Sequence, residues 1–160
     1  MDEQVIVREM KKEDKRQVHN ILNKIKNFSD EDKKIAIELV EEFIDGTNED
    51  GYYVMCAEKN DKILGYICYG TASLCVGTYD IYYIAVDPDN FRSGVGKLMM
   101  KAAEEDIKKK KGRMILLETS SSEDYLNTRN FYHNIGYKEI SIIKDYYKNG
   151  EDKITYQKRL

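Results

Sequence analysis

Hydrophobic and polar positions change their period several times along this chain, and each change marks an element. Alternation over residues 5–9 predicts a short strand, after which Val18, Ile21, Leu22 and Ile25 recur at helical spacing and predict an amphipathic helix over about 12–26. Ser29 suits the N-cap of a second helix, whose apolar face of Ala36, Leu39, Val40, Phe43 and Ile44 runs until Gly46. Period two returns over 52–58 and 62–71 around Asn60-Asp61, which predicts a hairpin, with Gly65 and Gly70 marking a bend or bulge in its second arm. Residues 72–78 read as a loop. Asp80 then starts a β-branched and aromatic strand through Tyr82, Tyr83, Ile84 and Val86 that Pro88 ends.

Gly94 and Gly96 open a long helix, with Val95, Leu98, Met99, Ala102, Ala103 and Ile107 on its apolar face and Gly112 after it. Residues 113–119 form a buried strand, and strand, helix, strand in this order implies a parallel pair with a right-handed crossover. After a polar loop at 120–124, Thr128, Phe131, Tyr132 and Ile135 predict a short helix that stops at Gly136. Two last strands, 137–147 and 152–159, flank the hairpin dipeptide Asn149-Gly150. The order is βααβββαβαββ. No repeat or linker interrupts it, so residues 1–160 are expected to form one domain.

Composition narrows the class. Hydrophobic residues make up 41% and charged residues 34%, and no apolar run approaches the roughly 20 residues of a membrane span, so a globular, non-membrane protein is expected. A first stretch charged throughout has no signal-peptide character, which points to the cytoplasm. Cys56, Cys68 and Cys75 are odd in number and lack metal-ligand spacing, so free thiols and no metal are expected. The net charge of -3 argues against a dedicated nucleic-acid binder. Charge is nevertheless uneven: residues 29–50 carry nine acids against two lysines, and residues 97–113 carry seven bases against three acids. Most of these are expected to be solvated helix faces, with Lys108 to Lys111 complementing a helix C-terminus. A sharper reading sets a polyanionic cofactor against the basic segment and a cationic acceptor against the acidic one.

The stretch IYYIAVDPDNFRSGVGKLMMK carries the chemistry. A strand, a glycine turn and a helix N-terminus suit an anion, because the first turn of a helix has N–H groups without intrahelical partners and its dipole adds partial positive charge, while a plain tight turn accounts for the same residues equally well. Two nucleotide motifs fail here. A Walker loop would need glycine at Phe91 and Ser or Thr at Leu98, and the dinucleotide fingerprint would need glycine at Met99.

The element order, the glycine turn after the fourth strand and FYHNIGY near the end together resemble the GCN5-related N-acetyltransferase (GNAT) superfamily over nearly the whole chain. That family binds acetyl-coenzyme A through (Gln/Arg)-x-x-Gly-x-(Gly/Ala), which corresponds here to Phe91, Arg92, Ser93, Gly94, Val95 and Gly96, with Phe91 the departure. The family segment Tyr-x-x-x-Gly-Phe matches Tyr132, Gly136 and Tyr137, and the asparagine usual seven positions before the tyrosine is replaced by Tyr125. The resemblance implies an α/β fold of the α+β kind, with a mixed, mostly antiparallel twisted sheet of about seven strands, a splayed parallel pair and about four helices. It further implies a cytoplasmic acyltransferase moving acetyl from acetyl-CoA to a primary amine of a small molecule, amino acid or peptide. A homodimer is compatible with it.

Residue by residue, the resemblance assigns the cofactor's pyrophosphate to the segment from Phe91 through Lys97, and its pantetheine arm to the main chain of Ile84, Ala85 and Val86 in the gap between the splayed strands. Amine attack needs a proton acceptor, for which Asp80 and Glu118 are the candidates, and the departing thiolate needs an acid, for which Tyr132 matches the family tyrosine. Asp145, Tyr146 and Tyr147 are expected along the acceptor wall. Two other classes remain open on the residues. Phe91 and Tyr125 allow a CoA-binding or sensing module without turnover, and Lys108 to Lys111 allow a nucleic-acid partner with steep salt dependence.

Overall fold

The computed structural model describes residues 4–47 and 51–160, so Glu49 and Asp50 of the acidic stretch lie outside it. Seven strands form one sheet: β1 (Ile6–Glu9), β2 (Tyr53–Lys59), β3 (Lys62–Thr71), β4 (Thr78–Val86), β5 (Met114–Ser120), β6 (Lys138–Lys148) and β7 (Glu151–Arg159). Their spatial order is β1, β2, β3, β4, β5, β7, β6. Every neighbouring pair is antiparallel except β4 with β5. The four α-helices are α1 (Lys15–Lys24), α2 (Asp30–Asp45), α3 (Val95–Lys109) and α4 (Leu126–Asn134).

Alternation along the strands feeds two cores, one on each face of the sheet. Met99, Met100, Ala103 and Ile107 of α3 pack with Tyr69, Tyr79, Ile115 and Leu117. On the other face, Val18, Ile21 and Leu22 of α1 and Ala36 and Val40 of α2 pack with Val54, Cys56, Tyr66 and Cys68. Gly65 permits close layering, since a Cβ there would meet the Ala85 carbonyl oxygen at 2.6 Å and Met99 Cε at 2.9 Å.

Two element starts differ from the sequence reading by two residues or more, and α1 ends at Lys24 rather than at 26, with Ile25 already extended. Residues 12–14 form a 3-10 turn rather than the start of α1, because the buried Asp14 carboxylate accepts the Lys11 N–H at 2.7 Å and chelates Arg8 at 2.7 and 3.0 Å. Arg8 also pairs with Glu58. Arg8→Met leaves the Asp14 charge buried with its main partner gone, and an expected loss of about 2 kcal/mol is measurable by denaturant unfolding. The second difference is β4, which begins at Thr78, because Thr78 pairs with Met114 and Tyr79 pairs with both Thr71 and Ile115.

Charge follows the expectation of solvated helix faces. Ser29 and Asp32 form a capping box at the start of α2, where acids complement the dipole. Lys108 and Lys109 lie in the last turn of α3. Fifteen residues separate that end from Gly94, about 22 Å at the helical rise, so most of the basic run lies away from the glycine turn.

Candidate active site at the divergence of β4 and β5

The parallel strands β4 and β5 pair over only three positions, ending at Asp80 with Leu116. A bulge explains where they part. Ile81 faces Tyr69 and Tyr83 faces Cys68, so Tyr82 is an extra residue that bends β4 away from β5 and reverses which side chains point to which face. Beyond it, Tyr83 and Ala85 join the α1/α2 core, while Ile84 and Val86 pack on the α3 side.

The opened edge presents unpaired main chain. Asp87 N–H donates to the Leu64 carbonyl at 2.8 Å, which makes that facing pair hydrogen-bonded. Antiparallel ladders alternate, so Ala85 also bonds toward β3, whereas the N–H and C=O groups of Ile84 and Val86 face the gap. Of the three residues expected there, two turn their main chain into the gap and Ala85 turns its main chain away.

A cleft of about 650 Å³ occupies the gap and is lined on one bank by Ile84 to Val86 and the whole run Phe91 to Lys97. Its other bank is α4, including Phe131 and Tyr132. Gly94 N-caps α3 in the left-handed conformation, φ 84° and ψ 1°. The first intrahelical bond is Leu98 N–H to Gly94 O at 3.1 Å, which leaves the N–H groups of Val95, Gly96 and Lys97 without an intrahelical partner. Gly96 lies against the opposite bank, where a Cβ would meet the Phe131 ring at 3.3 Å. Phe91 is exposed and Arg92 has φ 61°, so the loop projects both side chains at the cleft rim.

Tyr132 is buried among Phe131, Tyr137 and Tyr156, with ring centroids 5.5 to 6.1 Å away. Burial pushes its phenol well above the usual range, so it stays protonated. Its position is fixed from behind: Gly136 ends α4 at φ 94°, Tyr137 N–H donates to Tyr132 O at 3.0 Å, and the Tyr137 hydroxyl donates to Glu104 at 3.1 Å. The segment Tyr132, Gly136, Tyr137 is thus a helix stop with a core anchor.

Asp80 and Glu118 stand outside the cleft lining. Their neighbours Tyr79, Ile81, Ile115 and Leu117 fill the α3-side core, so alternation places both carboxylates on the opposite face, on adjacent strands. Burial first, and the Glu118 charge second, raise the Asp80 carboxyl above its ordinary range. Glu118 is more exposed and pairs with Lys153 at 3.3 Å, and the Lys153 ammonium lies 4.1 Å over the Tyr146 ring. Tyr147, raised to about 12 by burial and then by the Glu118 charge, stands on the same side. Asp145 is spent on its own hairpin, accepting the Gly150 N–H at 2.7 Å.

The sequence reading missed a set of polar contacts that frame the cleft. Lys24, the last residue of α1, reaches both carboxylate oxygens of the buried Asp87 at 3.2 Å and Asp89 at 3.1 Å. Asp87 itself accepts the Asp89 N–H and shapes the turn after β4. Only the Asp-Pro pair hinted at this cap in sequence; Lys24 gave no signal. Among the described residues no cluster of three His, Cys, Asp or Glu side chains is arranged to hold a metal, and no helix is long and apolar enough to cross a membrane.

Comparison with known proteins matches this geometry. The family model for the acetyltransferase (GNAT) domain matches residues 50–139. No curated protein sequence matches the chain. Among solved structures, a protein from Desulfovibrio desulfuricans assigned as an acetyltransferase of the GNAT family is 32% identical, with a TM-score of 0.93 over 98% of this chain and 99% of its own. The ribosomal-protein-alanine N-acetyltransferase of Brucella melitensis, 17% identical, shares the fold at TM-score 0.78 over 97% of this chain and 99% of its own. So does the paia N-acetyltransferase of Thermoplasma acidophilum in complex with coenzyme A, 16% identical at 0.75 over 99% and 100%. The splayed strands, the glycine-capped helix and these likenesses lead to one conclusion: the chain belongs to the GNAT family and is an acetyltransferase.

Proposed function

We propose that residues 1–160 act as one N-acetyltransferase domain that carries acetyl from acetyl-CoA to the primary amine of a small molecule, amino acid or peptide, in the cytoplasm. The observation that carries this reading is the gap after Asp80 and Leu116, where unpaired main chain of Ile84 and Val86 leads to the capped start of α3. Three free cysteines are in keeping with a reducing compartment.

The residues fit coenzyme A in kind. The N–H groups of Val95, Gly96 and Lys97 hold a pyrophosphate, with Arg92 and Lys97 adding charge from the rim. Ile84 and Val86 bond an amide-bearing arm as a further strand would. The acetyl thioester supplies the acyl group, and the amine comes from the opposite face, where Asp80 and Glu118 lie. In the transfer, the amine nitrogen bonds the acetyl carbon and the carbon–sulfur bond breaks. Asp80 takes the proton that the amine must shed, and the protonated Tyr132 phenol gives one to the departing sulfur.

The Asp80 role has a stability signature. Its folded pKa is raised, so the folded state holds the proton to higher pH than the unfolded chain does. Stability therefore falls as pH rises from the ordinary value near 3.8 through the raised one, and the cost persists at neutral pH. Asp80→Asn is expected to raise Tm at pH 7, with the gain shrinking as pH is lowered, while kcat/KM falls about tenfold. A lower Tm at pH 7 together with unchanged kcat/KM contradicts the role.

The experiment that tests the function is incubation with acetyl-CoA and a panel of amines, amino acids and peptides, read by mass spectrometry. A product about 42 Da heavier, the mass of an acetyl replacing hydrogen, is expected for at least one class if the acyl group passes to the amine. Thiol release with no acetylated amine in any class contradicts it.

A further inference from the structure

Where β4 and β5 separate, the sheet loses the hydrogen bonds that hold neighbouring strands at fixed spacing. The last residue of α1 and the connector to α2, residues 24–29, cross this opening and are bonded on both sides. Toward β4, Lys24 grips Asp87 and Asp89 at the root of the glycine turn. Toward β5, the Tyr125 hydroxyl donates to the Asn27 carbonyl at 2.9 Å, and Asn27 Nδ2 donates to the Asp124 carbonyl at 2.9 Å. Tyr125 lies in the 3-10 turn that follows β5. Ile25, Asn27 and Asp124 all line the cleft, so these bonds lie along the cleft itself.

Tyr125 is the residue that the cofactor and catalytic roles leave unused, at the position where the sequence departs from the family's asparagine. An asparagine side chain has two fewer bond lengths of reach than a phenol and no ring to span the distance. The tyrosine hydroxyl instead ends on a main-chain carbonyl of a segment 98 positions away in sequence. Its ring is half-buried, and burial foremost, followed by the charges of Asp32, Glu151 and Asp124, keeps the phenol protonated, the state that can donate.

We propose that Tyr125, with Asn27 and Lys24, makes the α1–α2 connector a strap that ties the two diverging strands across the opening and holds the cleft ready for coenzyme A. Tyr125 is a positioning residue, acting through the connector. This rests on the proposed cofactor site. A detached connector must be reseated when coenzyme A binds, so affinity scales with the fraction of molecules already strapped.

The test compares the wild-type protein with Tyr125→Phe, which keeps the ring and removes only the bond, and with the double variant Tyr125→Phe/Asn27→Ala. Amide hydrogen exchange is read without cofactor at Ile25 and Ser29, whose N–H groups donate to Leu22 O and the Asp32 carboxylate. Loss of one neutral hydrogen bond predicts exchange about fivefold faster in Tyr125→Phe. The double variant exchanges faster still, and saturating coenzyme A restores protection in both. Calorimetric Kd for coenzyme A rises by up to about fivefold in the single variant and further in the double one, at unchanged Tm. Exchange within about twofold of wild type overturns the strap, as does a Kd within about twofold of wild type in both variants, or a rise in Kd that simply follows a fall in Tm. The exchange readout needs no cofactor, so wild-type protein that binds no coenzyme A overturns the cofactor site, whereas equal binding by all three proteins overturns the strap alone.

Discussion

Gly94→Val is expected to raise the Kd for coenzyme A about 100-fold while leaving the rest of the fold in place, as measured by calorimetry alongside circular dichroism. Gly94 stands at φ 84° with no heavy atom within 4 Å of the point a Cβ would take, so the substitution meets no steric wall. What it meets is the backbone. The left-handed region costs an L residue about 1 to 2 kcal/mol, and more when the side chain is β-branched. The cheapest relief is to turn the peptide, which swings the N–H groups of Val95 and Gly96 away from the anion they are proposed to hold. Strain and lost bonds together supply the roughly 3 kcal/mol that the 100-fold represents. A Kd within about threefold of wild type would remove the pyrophosphate from this turn.

Tyr132→Phe is expected to lower kcat about 100-fold with the coenzyme A Kd nearly unchanged. The ring is fixed by Phe131, Tyr137 and Tyr156, so removing the hydroxyl disturbs no packing, and Tm should hold. A loss confined to kcat is the mark of a group that acts in the transition state rather than in binding. Under single-turnover conditions with a reactive primary amine, so that acyl transfer itself is observed, an unchanged rate would take the acid role from Tyr132.

Much of the fold was legible because it rests on local pattern. The hairpin of β2 and β3 follows from alternation on both sides of Asn60 and Asp61, whose φ values of 53° and 61° are those that Asn and Asp tolerate in tight turns. Glycine spacing before an amphipathic helix, together with the family resemblance, singled out Phe91 to Lys97, and all of them line the cleft. The extra residue Tyr82 was not, since a bulge in an aromatic run changes no periodicity until the partner strand is known. Its consequence was equally hidden: only the register with β3 separates Ile84 and Val86, facing the gap, from Ala85, facing away.

Contacts made across the whole chain left the least trace. Lys24 and Asp87 are 63 positions apart, and Tyr125 and Asn27 98, so neither pair could be proposed from spacing. Tyr125 stood out only as a departure from a family pattern; its use, tying the connector over the cleft, needed the fold. Asp80 and Glu118 were legible as carboxylates near the ends of adjacent strands, but their place on the face opposite the cleft depends on which residues fill the α3-side core.

Backbone amide shifts of the isotope-labelled protein, recorded while coenzyme A is added, test most directly that the gap between β4 and β5 holds the cofactor. The predicted result is the largest changes at Ile84, Val86 and Val95 to Lys97, with those at Lys108 to Lys111 small. Changes concentrated away from the gap, with Ile84, Val86 and the first turn of α3 unmoved at saturation, would contradict it.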